Sequence, residues 1–125
     1  MEYEKYMLEA LSLAREAAEN GDVPVGCVVV SPSGEIIGRG RNRREENRDA
    51  TAHAEVEAIR AACAALGAWN LSGCALFVTL EPCPMCAGAI LNARIPTVVY
   101  GAREAKSGSC GSVIDLFFEN YGFQP

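Results

Sequence analysis

An unbroken apolar run extends from Val25 to Val30, between an Asn-Gly-Asp segment and a Ser-Pro-Ser-Gly segment. A strand with one solvated face alternates apolar and polar side chains, so a run without alternation indicates a strand buried on both faces. Ser31-Pro32-Ser33-Gly34 predicts a tight turn, and the next segment, EIIGRGRN, predicts a second strand that pairs with the first. The chain therefore needs a sheet whose two faces are both covered.

Helical and strand patterns alternate along the rest of the chain. Residues 3–19 predict an amphipathic helix, in which the apolar positions at helical spacing are Met7, Leu8, Leu11, Ala14 and Ala18. Residues 42–51 are predicted to form a loop, followed by a helix over about 52–66 that Thr51 caps and a strand over about 74–80. A second helix is predicted from near Cys83 to Ile95-Pro96, and a strand at TVVYG follows it. The chain is then predicted to continue with a Gly/Ser-rich loop at GAREAKSGSCGS and a short final helix at VIDLFFEN. The order α-β-β-α-β-α-β-α predicts an α/β fold with a mixed β-sheet and helices on both faces.

Length and charge set limits on the class of protein. The 125 residues correspond to one domain, so residues 1–125 are expected to form a single unit. The net charge of −5 excludes a protein-wide positive field for nucleic acid. Five of the eleven basic residues nevertheless fall in residues 39–48: Arg39, Arg41, Arg43, Arg44 and Arg48. That segment either binds phosphate or is a solvated loop partly neutralised by Glu45, Glu46 and Asp49, and the sequence leaves both open.

The first twenty residues are interrupted by charges and lack the apolar core of a signal peptide, and no run approaches the length of a membrane span. We therefore expect a cytoplasmic protein without a membrane partner. In a reducing compartment, closely spaced cysteines more often bind metal than form disulfides, which bears on the six cysteines of this chain.

A metal site is indicated by His53, the one histidine in the chain, together with Cys83 and Cys86. The two cysteines have C-x₂-C spacing at a predicted strand-to-helix junction, where a helix N-terminus lowers thiol pKa values and favours the thiolates that bind zinc. Two cysteines and a histidine make three ligands and leave a fourth position for water, the arrangement of a catalytic zinc site. A redox cysteine pair, or a closed structural site completed by Cys27, Cys74 or Cys110, remains as an alternative.

Glu55 lies two residues after His53, at the start of the predicted helix. Zinc lowers the pKa of bound water to around 7, and a nearby carboxylate can take that proton and pass it to a substrate. We therefore expect Glu55 to be a catalytic acid/base and not a metal ligand. The other interpretation is an acidic residue that stabilises the helix N-terminus.

Several segments of the chain resemble one enzyme family. They are VPVG at 23–26, GRN at 40–42, TAHAE at 51–55, TLEPC at 79–83, MCAGA at 85–89, GAR at 101–103 and KSG at 106–108. His-x-Glu with Pro-Cys-x₂-Cys is the signature of zinc nucleobase and nucleoside deaminases, and the whole set is similar to the bacterial tRNA-specific adenosine deaminases. The resemblance extends over nearly all of the chain.

The resemblance implies a cytidine-deaminase-like three-layer α/β/α sandwich that works as a homodimer and holds one Zn²⁺ per chain. It implies hydrolytic conversion of adenosine to inosine at the wobble position of a tRNA anticodon stem-loop, by zinc-bound hydroxide with Glu55 as proton shuttle. DNA is not expected as the native substrate. The substrate-binding residues that it implies are Val23 and Ala54 at the base, Asn42 at the purine edge, and Lys106 and Ser107 at the RNA backbone.

Two features of the sequence keep other functions open: the acidic net charge of −5, which does not favour RNA binding, and the place where the sequence ends. Members of this family continue with a further strand and a basic C-terminal helix, whereas this sequence ends at Phe123-Gln124-Pro125, where that strand is expected to begin. The alternative functions are a zinc deaminase of a free base or nucleoside, of the guanine or cytosine type, and a non-catalytic zinc-stabilised interaction module. The last requires a fourth protein ligand and gives Glu55 no role.

Overall fold

The computed structural model describes residues 3–104, 106, 108 and 109. Its helices are α1 (Tyr3–Glu19), α2 (Arg44–Asn47), α3 (Ala54–Leu66) and α4 (Pro84–Asn92), and its strands are β1 (Gly26–Val30), β2 (Ile36–Arg41), β3 (Ala75–Leu80) and β4 (Thr97–Ala102). The final helix predicted at VIDLFFEN, at residues 113–120, lies outside the described residues. So do Cys110 and Ser107.

The four strands form one sheet in the order β2-β1-β3-β4. Strand β1 is antiparallel to β2 and to β3, while β3 is parallel to β4. The prediction of a mixed sheet, with an early hairpin and a later parallel portion, is confirmed. The turn is also where it was predicted, because Gly34 adopts a φ of +88° and its N–H donates to the carbonyl of Ser31 over 2.9 Å.

Side chains of β1 fill both faces of the sheet, as its unbroken apolar sequence predicts. Val28 and Val30 pack with Phe77 against helix α1. Cys27 and Val29 belong to the opposite core, which includes residues of α3 and α4. The described part of the chain is therefore a three-layer α/β/α sandwich, as expected.

The buried face of α1 differs from the predicted one. The residues that face the sheet are Tyr6, Ala10, Ala14 and Ala17, whereas Leu8 and Leu11 are exposed. The reason is the close approach of the helix to the first residue of β1. A Cβ on Gly26 would lie within 3 Å of the backbone of Ala10 and Ala14, so only the alanine face of the helix fits against the sheet.

Two predictions about the segment before α3 were wrong in detail. Residues 42–51 were predicted to be a loop, yet they contain the short helix α2. Thr51 does not cap α3, because its hydroxyl donates to the Asp49 carboxylate over 2.8 Å. His53 is the N-cap instead, with extended backbone angles (φ −85°, ψ 153°), and the helix starts at Ala54, two residues later than predicted.

Candidate active site

The N-termini of α3 and α4 meet at one place. His53 is the N-cap of α3 and Cys83 is the N-cap of α4, and neither side chain makes a capping hydrogen bond. Pro84 occupies the first helical position after Cys83, where its missing N–H has no cost. Cys86 follows in the first turn of α4. Both cap side chains are therefore directed at something other than their own helices.

The ligand atoms of His53, Cys83 and Cys86 lie within 4.8 Å of one another. The Nδ1 atom of His53 is 3.6 Å from Sγ of Cys83 and 3.5 Å from Sγ of Cys86. Zn–N bonds of about 2.0–2.1 Å and Zn–S bonds of about 2.3 Å, meeting at a tetrahedral angle, separate nitrogen and sulfur by about 3.5 Å. The spacing of these three ligand atoms therefore fits one tetrahedral zinc ion and leaves its fourth coordination position open.

The two cysteines differ in their protonation. A hydrogen bond from Cys86 lowers the pKa of the Cys83 thiol to about 4. The same hydrogen bond, together with burial, raises the pKa of Cys86 above its usual value. Cys83 is thus a thiolate at neutral pH, and Cys86 still carries a proton that a divalent cation would displace on binding.

A closed structural zinc site finds no support in the described residues. His53, Cys83 and Cys86 form the one group of three potential ligands there, and Cys27 and Cys74 are buried cysteines that do not belong to it. Cys110, the third candidate for a fourth ligand, lies outside the described residues. A closed structural site therefore has no fourth protein ligand within the part of the chain that the structure covers.

Glu55 occupies the second position of α3 and is only 4% exposed. Burial is the main cause that raises the pKa of its carboxyl to about 7. A carboxyl group with a pKa near the working pH can both accept and donate a proton. Its side chain lines the same cavity as His53 and Cys83.

That cavity has a volume of about 340 Å³ and is partly open to solvent. It is lined by most of the residues that the sequence singled out: Val23, Asn42, His53, Ala54, Glu55, Cys83 and Lys106. Cys86 is fully buried behind them. Ser107 lies outside the described residues, so its predicted contact with RNA stays a prediction. A cavity of this size is at the lower end of the range that binds small molecules.

Asn42 directly follows β2 and is 8% exposed. Its Oδ1 accepts a hydrogen bond from the backbone N–H of Arg44 at 3.1 Å. Because an N–H donor requires an oxygen acceptor, this contact fixes which way the amide points. The Nδ2 group is the part of Asn42 that remains to donate a hydrogen bond to a molecule in the cavity.

Sequence analysis did not single out Glu81, which also lines the cavity and is 2% exposed. Its Oε1 accepts a hydrogen bond from the backbone N–H of Glu104 at 3.2 Å, and a Cβ on Gly108 would lie 2.6 Å from its carboxylate. Glu81 thus holds the segment that carries Lys106 against the end of β3. Its position immediately before Pro82-Cys83 was the signal that could have found it.

Ion pairs largely neutralise the basic segment at 39–48. Arg43 contacts Glu46 and Glu57, Arg44 contacts Glu45, and Arg39 contacts Glu9 of α1. These contacts favour the solvated-loop interpretation over a phosphate site for the segment as a whole. Arg44 is the member of the segment that lines the cavity, and it was not assigned to the site from the sequence.

A mixed sheet between helical layers, with His, Cys, Cys and a buried Glu at one cavity, is the arrangement expected of the zinc-dependent nucleobase and nucleoside deaminases. The chain belongs to the family described as the cytidine and deoxycytidylate deaminase zinc-binding region, whose model matches residues 1–102. Among the residues that the structure describes, no helix has the length and apolarity needed to cross a bilayer.

Curated relatives cover most of this chain. It is 56% identical over 119 residues to a tRNA(Ile)-lysidine synthase of Deinococcus radiodurans, covering 95% of this chain and 20% of that protein. It is 50% identical over 116 residues to a tRNA-specific adenosine deaminase of Bacillus subtilis, covering 93% of this chain and 71% of that one. The chain thus spans about a fifth of the length of the first of these relatives and most of the second.

Solved structures also resemble this chain in sequence and in fold. One comes from a study of A-to-I editing by tRNA:A34 deaminases at the wobble position of transfer RNA, with 46% identity, a TM-score of 0.91, and coverage of 99% of this chain and 94% of that one. Another is a guanine deaminase from Bacillus subtilis, with 43% identity, a TM-score of 0.80, and coverage of 94% and 74%. The expected cytidine-deaminase-like fold is confirmed.

Proposed function

We propose that this protein hydrolytically deaminates adenosine to inosine at the wobble position of a tRNA anticodon stem-loop. The observation that carries the proposal is that one cavity is lined by Asn42, by Glu55 and by the proposed zinc ligands His53 and Cys83. Support for the tRNA substrate comes from the relatives that bear that activity in their names, at about 50% identity.

The reaction replaces the C6 amino group of adenine by oxygen, consuming water and releasing ammonia. A zinc ion held by His53, Cys83 and Cys86 would supply a water of lowered pKa. Glu55 would take a proton from the attacking water and deliver it to the ring nitrogen next to C6, and it would then take the remaining proton of the oxygen added at C6 and pass it to the amine, which leaves as ammonia. The burial of Glu55 suits both roles, because it leaves the carboxyl able to hold a proton between the two steps.

The base is held by groups that line the rest of the cavity. Asn42 Nδ2 donates to an acceptor on the purine edge, while Ala54 and Val23 form the walls that contact the base. Lys106 lines the cavity, which supports a contact between its side chain and the RNA backbone. The same contact is proposed for Ser107 from the resemblance of the sequence alone. An anticodon loop suits such a site, since its base leaves the stack at a lower cost than a base in a duplex.

We also propose that the protein is a cytoplasmic homodimer, as the resemblance of the sequence implies. Leu8, Leu11, Trp69 and Met85 are large apolar side chains that this single chain leaves exposed, and such side chains suit a protein interface. Sedimentation equilibrium tests the oligomeric state directly. A monomer at micromolar concentration would contradict the dimer.

A second candidate is deamination of a free base, which the similarity to a guanine deaminase structure favours. The zinc ligands and Glu55 would be used in the same way, and only the source of the base would differ. A non-catalytic zinc module has less support, because the described residues offer three ligands and leave a buried acid at the site.

The test is inosine formation in a tRNA anticodon stem-loop with adenosine at the wobble position, run beside free adenosine, guanine and cytosine. Conversion of the stem-loop at a kcat/KM far above that of every free compound supports the proposal. Conversion of guanine alone assigns the second candidate. Zinc binding without conversion of any of them would contradict the proposal.

A further inference from the structure

Asp22 is a buried carboxylate that the proposed reaction does not use. It lies between the end of α1 and Val23, and it is 6% exposed. Its Oδ1 accepts a hydrogen bond from the backbone N–H of Glu45 at 2.7 Å, and its Oδ2 accepts one from the N–H of Glu46 at 3.2 Å. Both oxygens thus bind the first turn of helix α2, more than twenty residues away.

Helix α2 lacks a cap of its own. Its N-cap residue, Arg43, makes no side-chain capping hydrogen bond. The N–H groups at the start of a helix have no partner within the helix, and a distant acceptor can satisfy them. Asp22 accepts hydrogen bonds from the N–H groups of the second and third residues of α2, and Asn42 Oδ1 accepts one from the first, Arg44. Two side chains therefore share the capping of one helical turn.

That turn forms part of the cavity wall. Asn42 and Arg44 line the cavity on one side, and Val23, the neighbour of Asp22, lines it as well. Because Asn42 Oδ1 accepts from the Arg44 N–H, Nδ2 is the amide group of Asn42 that is left for a molecule in the cavity. This contact persists only while Arg44 N stays in place, and Arg44 belongs to the turn that Asp22 holds.

We propose that Asp22 is a positioning residue for substrate binding, which acts through helix α2 on the orientation of the Asn42 amide. The inference rests on the proposed function in one respect, namely that Asn42 contacts the base. When Asp22 is removed, the first turn of α2 loses two of its acceptors and frays. The Asn42 amide then loses the contact that fixes its orientation, and its nitrogen is no longer held in place for the substrate.

The expected signature is a change in KM with little change in kcat. Glu55 and the zinc ligands lie on α3 and α4, and neither side-chain hydrogen bond of Asp22 reaches those helices. Loss of a capping carboxylate changes a local equilibrium by about five- to tenfold. Asp22→Ala should therefore raise KM by up to about that factor, leave kcat within about twofold and keep one zinc per chain.

A double-mutant cycle with Asn42→Ala separates this role from a purely structural one. If Asp22 acts through Asn42, Asp22→Ala raises KM in the unmodified protein and has no further effect in the Asn42→Ala background. An equal rise in both backgrounds would overturn the proposal, and so would a loss of kcat at constant KM. Asn70→Ala is the matched control, because Asn70 Oδ1 likewise holds one backbone N–H, that of Ser72, in a turn away from the cavity. It should leave KM and kcat unchanged.

A second measurement needs no turnover. Amide hydrogen exchange, followed by NMR, should accelerate about five- to tenfold in Asp22→Ala at Glu45 and Glu46 and also at Arg44, whose acceptor is Asn42. Acceleration confined to Glu45 and Glu46 would refute the link to Asn42. If Asp22→Ala does not fold, Asp22→Asn, which keeps one oxygen acceptor, should give a smaller effect in the same direction. Failure of the unmodified chain to convert the stem-loop would refute the proposed function, whereas the exchange result decides the role of Asp22 independently.

Discussion

The absence of a side chain at Gly40 allows β2 to pack closely against α3, and the geometry of the site depends on this packing. It lies in β2, opposite Cys27 of β1, and a Cβ at this position would come within 2.2 Å of the Ala54 carbonyl and 2.6 Å of the Ala58 nitrogen. Both are backbone atoms of α3, so no side chain can rotate away. Gly40→Ala must therefore move the helix or the strand.

The size of the movement follows from the contact distance. An ordinary contact begins near 3.4 Å, so the Ala54 carbonyl and the new methyl must separate by about 1.2 Å. Ala54 stands between His53 and Glu55, while β2 leads into Asn42. Whichever element gives way, the distance between Asn42 and Glu55 changes. Overpacking of this kind costs about 1–3 kcal/mol of stability, and a misplacement of about 1 Å at a reacting group costs about 100-fold in rate.

Urea unfolding and kcat/KM on the anticodon stem-loop measure the two effects, with zinc content determined in parallel. Gly88→Ala in α4 is the control for the same chemical change, because a Cβ there meets nothing within 4 Å. It should raise the free energy of unfolding by about 0.5–1 kcal/mol and leave kcat/KM unchanged. If Gly40→Ala matched Gly88→Ala in stability and in kcat/KM, the packing argument would be wrong.

The remaining predictions concern the site itself. Glu55→Gln should lower kcat by about 10²- to 10⁴-fold with one zinc retained, and loss of zinc in this variant would make Glu55 structural. Cys83→Ala should abolish zinc binding, measured by metal analysis after dialysis, whereas Cys63→Ala should leave both zinc and kcat intact. A zinc-free Cys63→Ala protein would contradict the ligand assignment. Asn42→Ala should lower kcat/KM by about 5- to 100-fold at constant zinc content, since one hydrogen bond to the base is lost, and unchanged kinetics would remove Asn42 from the site.

The outline of the sheet and the ligand set could be predicted because both depend on short segments. The unbroken apolar run of β1 requires cover on both faces, and the Ser-Pro-Ser-Gly segment can form a turn wherever it is placed. Cys83 and Cys86 lie in one helical turn, so their spacing alone brings the two sulfurs together. His53 is far from them in the sequence, but it is the single histidine available as a nitrogen ligand.

Other features depended on contacts between distant segments and could not be read from the sequence. Helix α1 has apolar residues on more than one face, and the close approach of Gly26 to its backbone selected the alanine face. Helix α2 is four residues long, too short to be stable by its own propensity, and it depends on acceptors supplied by Asp22 and Asn42. The sequence thus determined the chemistry that the site can perform, because ligand spacing and strand patterning are local properties. Tertiary packing alone decided which way the Asn42 amide points and how close β2 lies to α3, because these follow from atoms that only the folded chain brings together.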